Sequence, residues 1–329
     1  MSRRHLPARS LPFVLAWLLG APAAWGVSGT DGPEAIGPYL NGIFPSSAPS
    51  SSGEWAVEEI YQGIQINLPM QLTPYPGSDR LLCVAKEGRI FTFQDDPAAT
   101  STALFLDLSA QTFTSSDSGL TWLVFHPEFG QGGSPNRGHV YVTYKWAPSS
   151  GGNGSEAYWR LSRFTVPDGT IAADPASEQI LIQQYDRQQW HDSGCMMFGP
   201  DGYLYVAVGD EGGANDAYDD GQKLDERLFS GILRIDVDQG PGSHPIRRQP
   251  QQLPMPPGWP DSFTANYSIP DDNPFVDPGG GWLEEFYAIG LRQPYRFSHD
   301  PVSGRTWIGE SGQDTEEELD LLEPGANYG

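Results

Sequence analysis

The 329-residue chain has only two cysteines, Cys83 and Cys195. That excludes a disulfide framework, a zinc ribbon and a CxxC redox pair. Positive charge is also scarce: 19 Lys plus Arg stand against 42 Asp plus Glu, a formal net charge of -23. A nucleic-acid surface needs clustered cations, and anionic lipid attracts polybasic segments. The chain suits neither. No Walker loop, HExxH, G-x-S-x-G or Rossmann fingerprint follows a suitable strand. The single long apolar run, Leu11 to Leu19, falls short of the ~20 residues a spanning helix needs. Beyond that run no stretch has helical periodicity.

Glycine (39), proline (30) and aromatics (12%, ten of them Trp) are plentiful. Glycine and proline together stay below the roughly 25–30% that marks disorder, so the chain has a core to bury. Arg3, Arg4 and Arg9 precede the apolar run, and Ala21, Ala23 and Ala24 follow it. This is the layout of a secretory signal over residues 1–26. It predicts a periplasmic or secreted protein without membrane insertion after cleavage. Residues 27–53, rich in Ser, Pro and Gly, read as a linker. Residues 54–329 read as one domain. Export permits a disulfide, but Cys83 and Cys195 both sit in apolar strand-like runs, where a free thiol behaves as a small hydrophobe.

One device recurs along the domain. A turn leads into a short apolar-aromatic strand, and a Gly-containing turn follows. Gly77 to Phe93 reads as a hairpin. Phe198-Gly-Pro-Asp-Gly-Tyr-Leu-Tyr-Val-Ala-Val-Gly-Asp-Glu-Gly212 and Phe297-Ser-His-Asp-Pro-Val-Ser-Gly-Arg-Thr-Trp-Ile-Gly-Glu-Ser-Gly312 share Phe, a turn, a strand and Gly-(Asp/Glu)-x-Gly. Units repeating at tens of residues predict an all-β propeller, because one sheet cannot bury both its faces alone. A β-sandwich is the alternative, and the repeat argues against it. Residues 129–138, 146–157, 213–229 and 239–275 read as loops. The last holds seven prolines between Pro241 and Pro260 and cannot be a central strand.

Several side chains could carry chemistry. His191 precedes an inner strand, where an imidazole faces the channel of a propeller and titrates near working pH. A hydrogen-bonded turn histidine is the bland alternative. Asp210, at the far end of the next hairpin, could hold the other ring nitrogen or simply cap a turn. Arg292, before the last repeat, could stabilise an oxyanion or serve as a structural ion-pair partner. Asp210 to Asp220 carries oxygens that calcium favours but lacks the twelve-residue loop pattern, so a solvated acidic loop is the alternative. Glu316 to Asp320 reads as a solvated face. His126 reads as turn packing. His244 and His299 sit in turns with no partner in view.

Seven phrases occur in order: Ser118-Gly-Leu-Thr-Trp-Leu-Val-Phe-His-Pro-Glu-Phe129, Arg160-Leu-Ser-Arg-Phe164, His191-Asp-Ser-Gly194 with Phe198 to Tyr205, Gly231-Ile-Leu-Arg-Ile-Asp236, Ile269 to Phe275, Tyr287 to Phe297, and Gly325-Ala-Asn-Tyr-Gly329. From about Arg80 onward the chain resembles the soluble glucose/sorbosone dehydrogenases, quinoproteins that use pyrroloquinoline quinone (PQQ). The resemblance implies a six-bladed β-propeller with PQQ and Ca²⁺ in its channel, oxidising the anomeric carbon of an aldose sugar to a lactone. Electrons would leave to a soluble electron acceptor or cytochrome. By the same resemblance His191 is the general base, Asp210 its orienting carboxylate and Arg292 the cation beside the quinone. Asp117, Asn215 and Gln293 fall at cofactor contacts, and the carbonyls of Gly312 and Gln313 at the calcium. Trp190 and Asp117 depart from the pattern. A carboxylate at Asp117 would face the cofactor's own acids. The phrase ending at Gly329 is normally followed by further blades with basic residues, so an incomplete ring of about four blades that holds PQQ weakly is expected here. A non-catalytic, binding propeller like the hedgehog-interacting proteins is the rival reading.

Overall fold

A computed structural model describes residues 58–148, 156–314 and 316–329. The signal segment, the linker and the loop at 149–155 lie outside the described residues. Among those described there is no helix, and thus none long and apolar enough to cross a membrane.

Among the described residues, eighteen strands build four blade-like sheets and one small two-stranded sheet. The first sheet holds β1 (Pro69–Pro74), β2 (Arg80–Ala85), β3 (Arg89–Gln94) and β4 (Ala103–Asp107) in simple up-and-down order. The second runs β5 (Leu120–Phe125), β6 (His139–Trp146), β7 (Ala157–Thr165) and β8 (Asp174–Asp186). The third starts with β9 (Met196–Phe198), β10 (Leu204–Val208) and β11 (Gly231–Ile235). The proline-rich stretch then supplies only short pieces. They are β12 (Ser243–Pro245) and β14 (Ser268–Pro270), which pair with each other, and β13 (Phe263–Thr264), which edges the second sheet on β8. The chain returns as β15 (Phe286–Ile289) to finish the third sheet on β11. The fourth sheet is β16 (Pro294–Asp300), β17 (Arg305–Glu310) and β18 (Glu318–Leu321).

Strands such as β10, Leu-Tyr-Val-Ala-Val, are buried at every position. Apolar residues without alternation mean that both faces of the sheet are covered, and the cores lie between successive blades. Leu82, Val84, Ile90 and Phe105 of the first sheet pack on Leu120, Leu123 and Val142 of the second. Tyr141, Trp159 and Leu161 of the second meet Val206, Val208 and Leu233 of the third. Ala207 and Ile232 of the third meet Phe297 and Ile308 of the fourth. Cys83 and Cys195 are free and buried, as their apolar surroundings predict.

Candidate functional site

Antiparallel pairing decides where the polar residues gather. Met196 of β9 pairs with Val206 of β10, so the segment entering β9 and the segment leaving β10 lie at the same end of the blade. The first carries His191 and the second Asp210. The fourth sheet repeats this plan. Pro294 of β16 pairs with Glu310 of β17, so Arg292 and Gln293 enter where Glu310, Ser311 and Gly312 leave. Asp117 comes just before β5 of the second sheet. Three neighbouring blades thus deliver their polar loops to one end.

Direct bonds join them. His191 Nδ1 lies 2.5 Å from Asp210 Oδ1, and the same oxygen accepts Gly212 N–H at 2.8 Å. A carboxylate oxygen only accepts, so in this pair the ring donates and Nδ1 carries the proton. That leaves Nε2 as the lone-pair nitrogen, with no protein partner among the described residues. Asp117 Oδ2 accepts His191 N–H at 3.1 Å and Gln293 Nε2 at 3.1 Å, tying the second blade to the third and fourth. The backbone N–H of Asp210 donates to the Arg292 carbonyl at 2.9 Å. Asp210, Arg292, Asn215 and Gln313 line an open cleft of about 270 Å³ together with Asp216. His191, Asp117 and Gln293 do not line the cleft. His191 is bonded to the lining residue Asp210, Gln293 follows Arg292 in sequence, and Asp117 bonds both His191 and Gln293.

The loops are strained where they do this. His191 and Ser193 hold φ values of 56° and 45°, in the left-handed region that costs a non-glycine residue about 1–3 kcal/mol. Gly209 leaves room for the loop, because a Cβ there would fall 2.0 Å from the His191 carbonyl oxygen. A layer of buried charge supports the loop from below. Lys145 Nζ reaches Asp186, Asp192 Oδ1 at 2.8 Å and the Gln188 carbonyl at 2.8 Å. Burial alone would depress its pKa, but the two carboxylates outweigh burial and hold it above the ordinary lysine range. Arg187 pairs with Glu211, and Arg227 with Asp220. The acidic stretch Asp210–Asp220 is thus largely a folded ion-pair and capping structure. Asp216 caps the N–H groups of Asp220 and Gly221 at 2.9 and 3.0 Å.

Glu310 is a site residue that the sequence reading missed. One of its carboxylate oxygens accepts the backbone N–H of Arg292 at 2.5 Å and of Gln293 at 3.0 Å. Burial pushes its pKa up to about 7. The signal was in the repeat: Gly209-Asp-Glu-Gly212 and Gly309-Glu-Ser-Gly312 put Asp210 and Glu310 at equivalent places. Each carboxylate reaches back to the loop entering its own blade. Two histidines read as lacking partners have them. His244 bonds Asp271 at 2.7 Å and Glu284 at 3.1 Å, and His299 bonds the Thr306 hydroxyl at 3.1 Å. His126 is buried on Asp238 at 3.1 Å.

Arg292 makes no ion pair among the described residues. Its Nη1 donates to the carbonyls of Ser311 at 3.0 Å and Gly312 at 3.1 Å, and its buried Nε has no partner. An unsatisfied guanidinium N–H beside the cleft fits the oxygen of a quinone. The calcium position fits less well, because the Gly312 carbonyl already accepts from a cation. Asn215 does not bond outward. Its N–H donates to the Gln313 side chain at 2.8 Å.

A sequence model described as Glucose / Sorbosone dehydrogenase matches residues 66–254 and 240–329. The chain belongs to the glucose/sorbosone dehydrogenase family. Among curated relatives, the HIPL1 protein of Arabidopsis thaliana is 29% identical over 332 residues, covering 88% of this chain and 44% of that protein. Quinoprotein glucose dehydrogenase B of Acinetobacter calcoaceticus is 24% identical over 266 residues, covering 80% and 50%. The chain therefore spans half or less of the length of these relatives. The solved structure of the soluble aldose sugar dehydrogenase from Escherichia coli, in the apo form, superposes with a TM-score of 0.57 at 21% identity. It covers 80% of this chain and 63% of the other. That likeness establishes the propeller fold.

Proposed function

We propose that this family member is an exported aldose dehydrogenase. The carrying observation is the His191–Asp210 pair, with its proton placed on Nδ1, beside the unsatisfied guanidinium of Arg292. His191 Nε2 takes the proton of the anomeric hydroxyl while the C1 hydride leaves, so the sugar becomes a lactone by loss of one proton and one hydride. Asp210 stabilises the imidazolium that forms. PQQ, when bound, supplies the two-electron acceptor, which a soluble acceptor or cytochrome then reoxidises. Arg292 would hold a quinone oxygen through its unpartnered Nε–H; Gln293 follows it in sequence, and Asn215 lines the same cleft. No step runs through calcium. Its carbonyls at Gly312 and Gln313 would require Arg292 to release Gly312.

The binding reading has its own support. Hedgehog-interacting protein of Mus musculus is 25% identical over 236 residues, Trp190 next to the base is 45% exposed, and Asp117 adds a carboxylate behind the cofactor contacts. One experiment separates the two. The chain is supplied with PQQ and Ca²⁺, and dye-linked oxidation of D-glucose and other aldoses is measured for wild type and His191→Gln. The enzyme reading predicts turnover that falls ~10²–10⁴-fold in the variant. No aldose oxidation by the wild type at saturating PQQ would leave only the binder, and equal rates in both would remove His191 from the mechanism.

A further inference from the structure

Lys145 is fully buried on β6, where a cation loses several kcal/mol of hydration. Such a group persists only if its partners repay that loss. An ammonium has three donors, and all three of Lys145 go to one short segment: Asp186, the Gln188 carbonyl and Asp192. Asp186 ends β8 and Asp192 directly follows His191. The lysine therefore clasps the two ends and the middle of the loop that delivers the imidazole. Neighbouring groups anchor single points of that loop. Trp159 Nε1 holds the Asp192 carbonyl at 2.9 Å, the Thr143 hydroxyl holds the Gly194 carbonyl at 2.7 Å, and Asp117 holds the His191 N–H. Within 186–190, the Gln189 carbonyl accepts Asp117 N–H at 3.1 Å and its side chain the Ser115 hydroxyl at 2.5 Å, Arg187 N–H donates to Glu211 at 3.0 Å, and Gln188 Nε2 donates to the Tyr218 hydroxyl at 2.6 Å. Each of these bonds holds one residue, whereas Lys145 ties residues 186, 188 and 192 to a single nitrogen. The left-handed turn at His191 is costly, and one clasp across residues 186–192 opposes its relaxation.

We propose that Lys145 is the positioning residue of His191, fixing the ring on Asp210 from the opposite side of the loop. Its role in turnover rests on the reading of His191 as the base, but the placement of the ring does not. An arginine could not substitute, because a planar fork cannot point three donors at a loop curling around a single nitrogen.

The test reads the imidazole itself. In the full chain, the Nδ1 proton of His191 should appear far downfield in proton NMR, assigned by its loss in His191→Gln. Lys145→Met should shift or abolish that resonance. Because Lys145→Met strands two buried carboxylates, a second variant combines it with Asp186→Asn and Asp192→Asn. This removes the clasp and the unpaired charge together. The triple variant is expected to melt cooperatively, to lose the downfield proton, and to lower kcat at least 10-fold with KM held within about 2-fold. It should also move the pH midpoint of the rate, whereas a merely structural role would scale active fraction and leave the midpoint in place. A folded triple variant that keeps the wild-type resonance overturns the proposal. If the resonance is lost but the wild type oxidises no aldose, the positioning stands and the enzyme reading falls.

Discussion

At the scale of single residues, the proposed reaction depends on which nitrogen of His191 carries the proton. Asp210 decides this, because a carboxylate already holding Gly212 N–H can only accept from the ring. An amide at that position could present its NH₂ to the ring and favour the opposite tautomer. Asp210→Asn is therefore expected to lower turnover ~10²–10⁴-fold while leaving the melting temperature within a few degrees. Steady-state kinetics beside a thermal melt check this, and a near-native rate would show that the ring does not need the carboxylate. His191, Asp210 and Arg292 could be read from the sequence because each precedes or follows a repeated turn. Lys145 could not. His139 to Trp146 has a strand pattern that carries no sign of the lysine's partners, Asp186 and Asp192, 41 and 47 residues away. The end of β8 and the loop after it close over the lysine.

At the scale of the element, the hairpin β9–β10 brings two loops together. Its entering loop holds His191 and its leaving loop Asp210, and Gly209 is a point where the two touch. A methyl group there would press on the His191 carbonyl rather than on a movable side chain. Gly209→Ala should thus cost about 1–3 kcal/mol of stability and most of the activity together, as measured by chemical denaturation and dye-linked rates. Loss of neither would mean the loop adapts freely. The hairpins themselves were legible because Gly-containing turns flank apolar runs. The strand edges were less so. β13 and β14 arise inside a proline-rich stretch whose pairing with β8 and β12 depends on distant sheets, and local pattern carries no trace of that.

At the scale of the whole molecule, four blades stack through three apolar seams, and a chain rich in acid must bury some of that acid. Glu285 is buried and accepts the Tyr267 hydroxyl at 2.7 Å, and burial pushes its pKa from 4.5 up to about 7. A carboxyl with a raised folded pKa stabilises the native state as a neutral acid. Its contribution is fully present below about pH 4.5 and is lost as pH rises to about 7. Glu285→Gln should flatten the wild-type decline in stability across that interval and add up to about 3 kcal/mol near neutral pH and above. Parallel stability curves for the two proteins would place the charge elsewhere. The propeller was legible at this scale from its repeated units.

In the proposed reaction this end of the propeller removes a proton and a hydride from one sugar molecule. The most direct measurement compares an aldose deuterated at C1 with its protium form, oxidised by the wild-type chain supplied with PQQ and Ca²⁺. Slower oxidation of the deuterated sugar is expected, with no dye reduction from a sugar whose anomeric carbon carries no hydrogen. Equal rates for the two isotopologues, or dye reduction without an anomeric hydrogen, would contradict it.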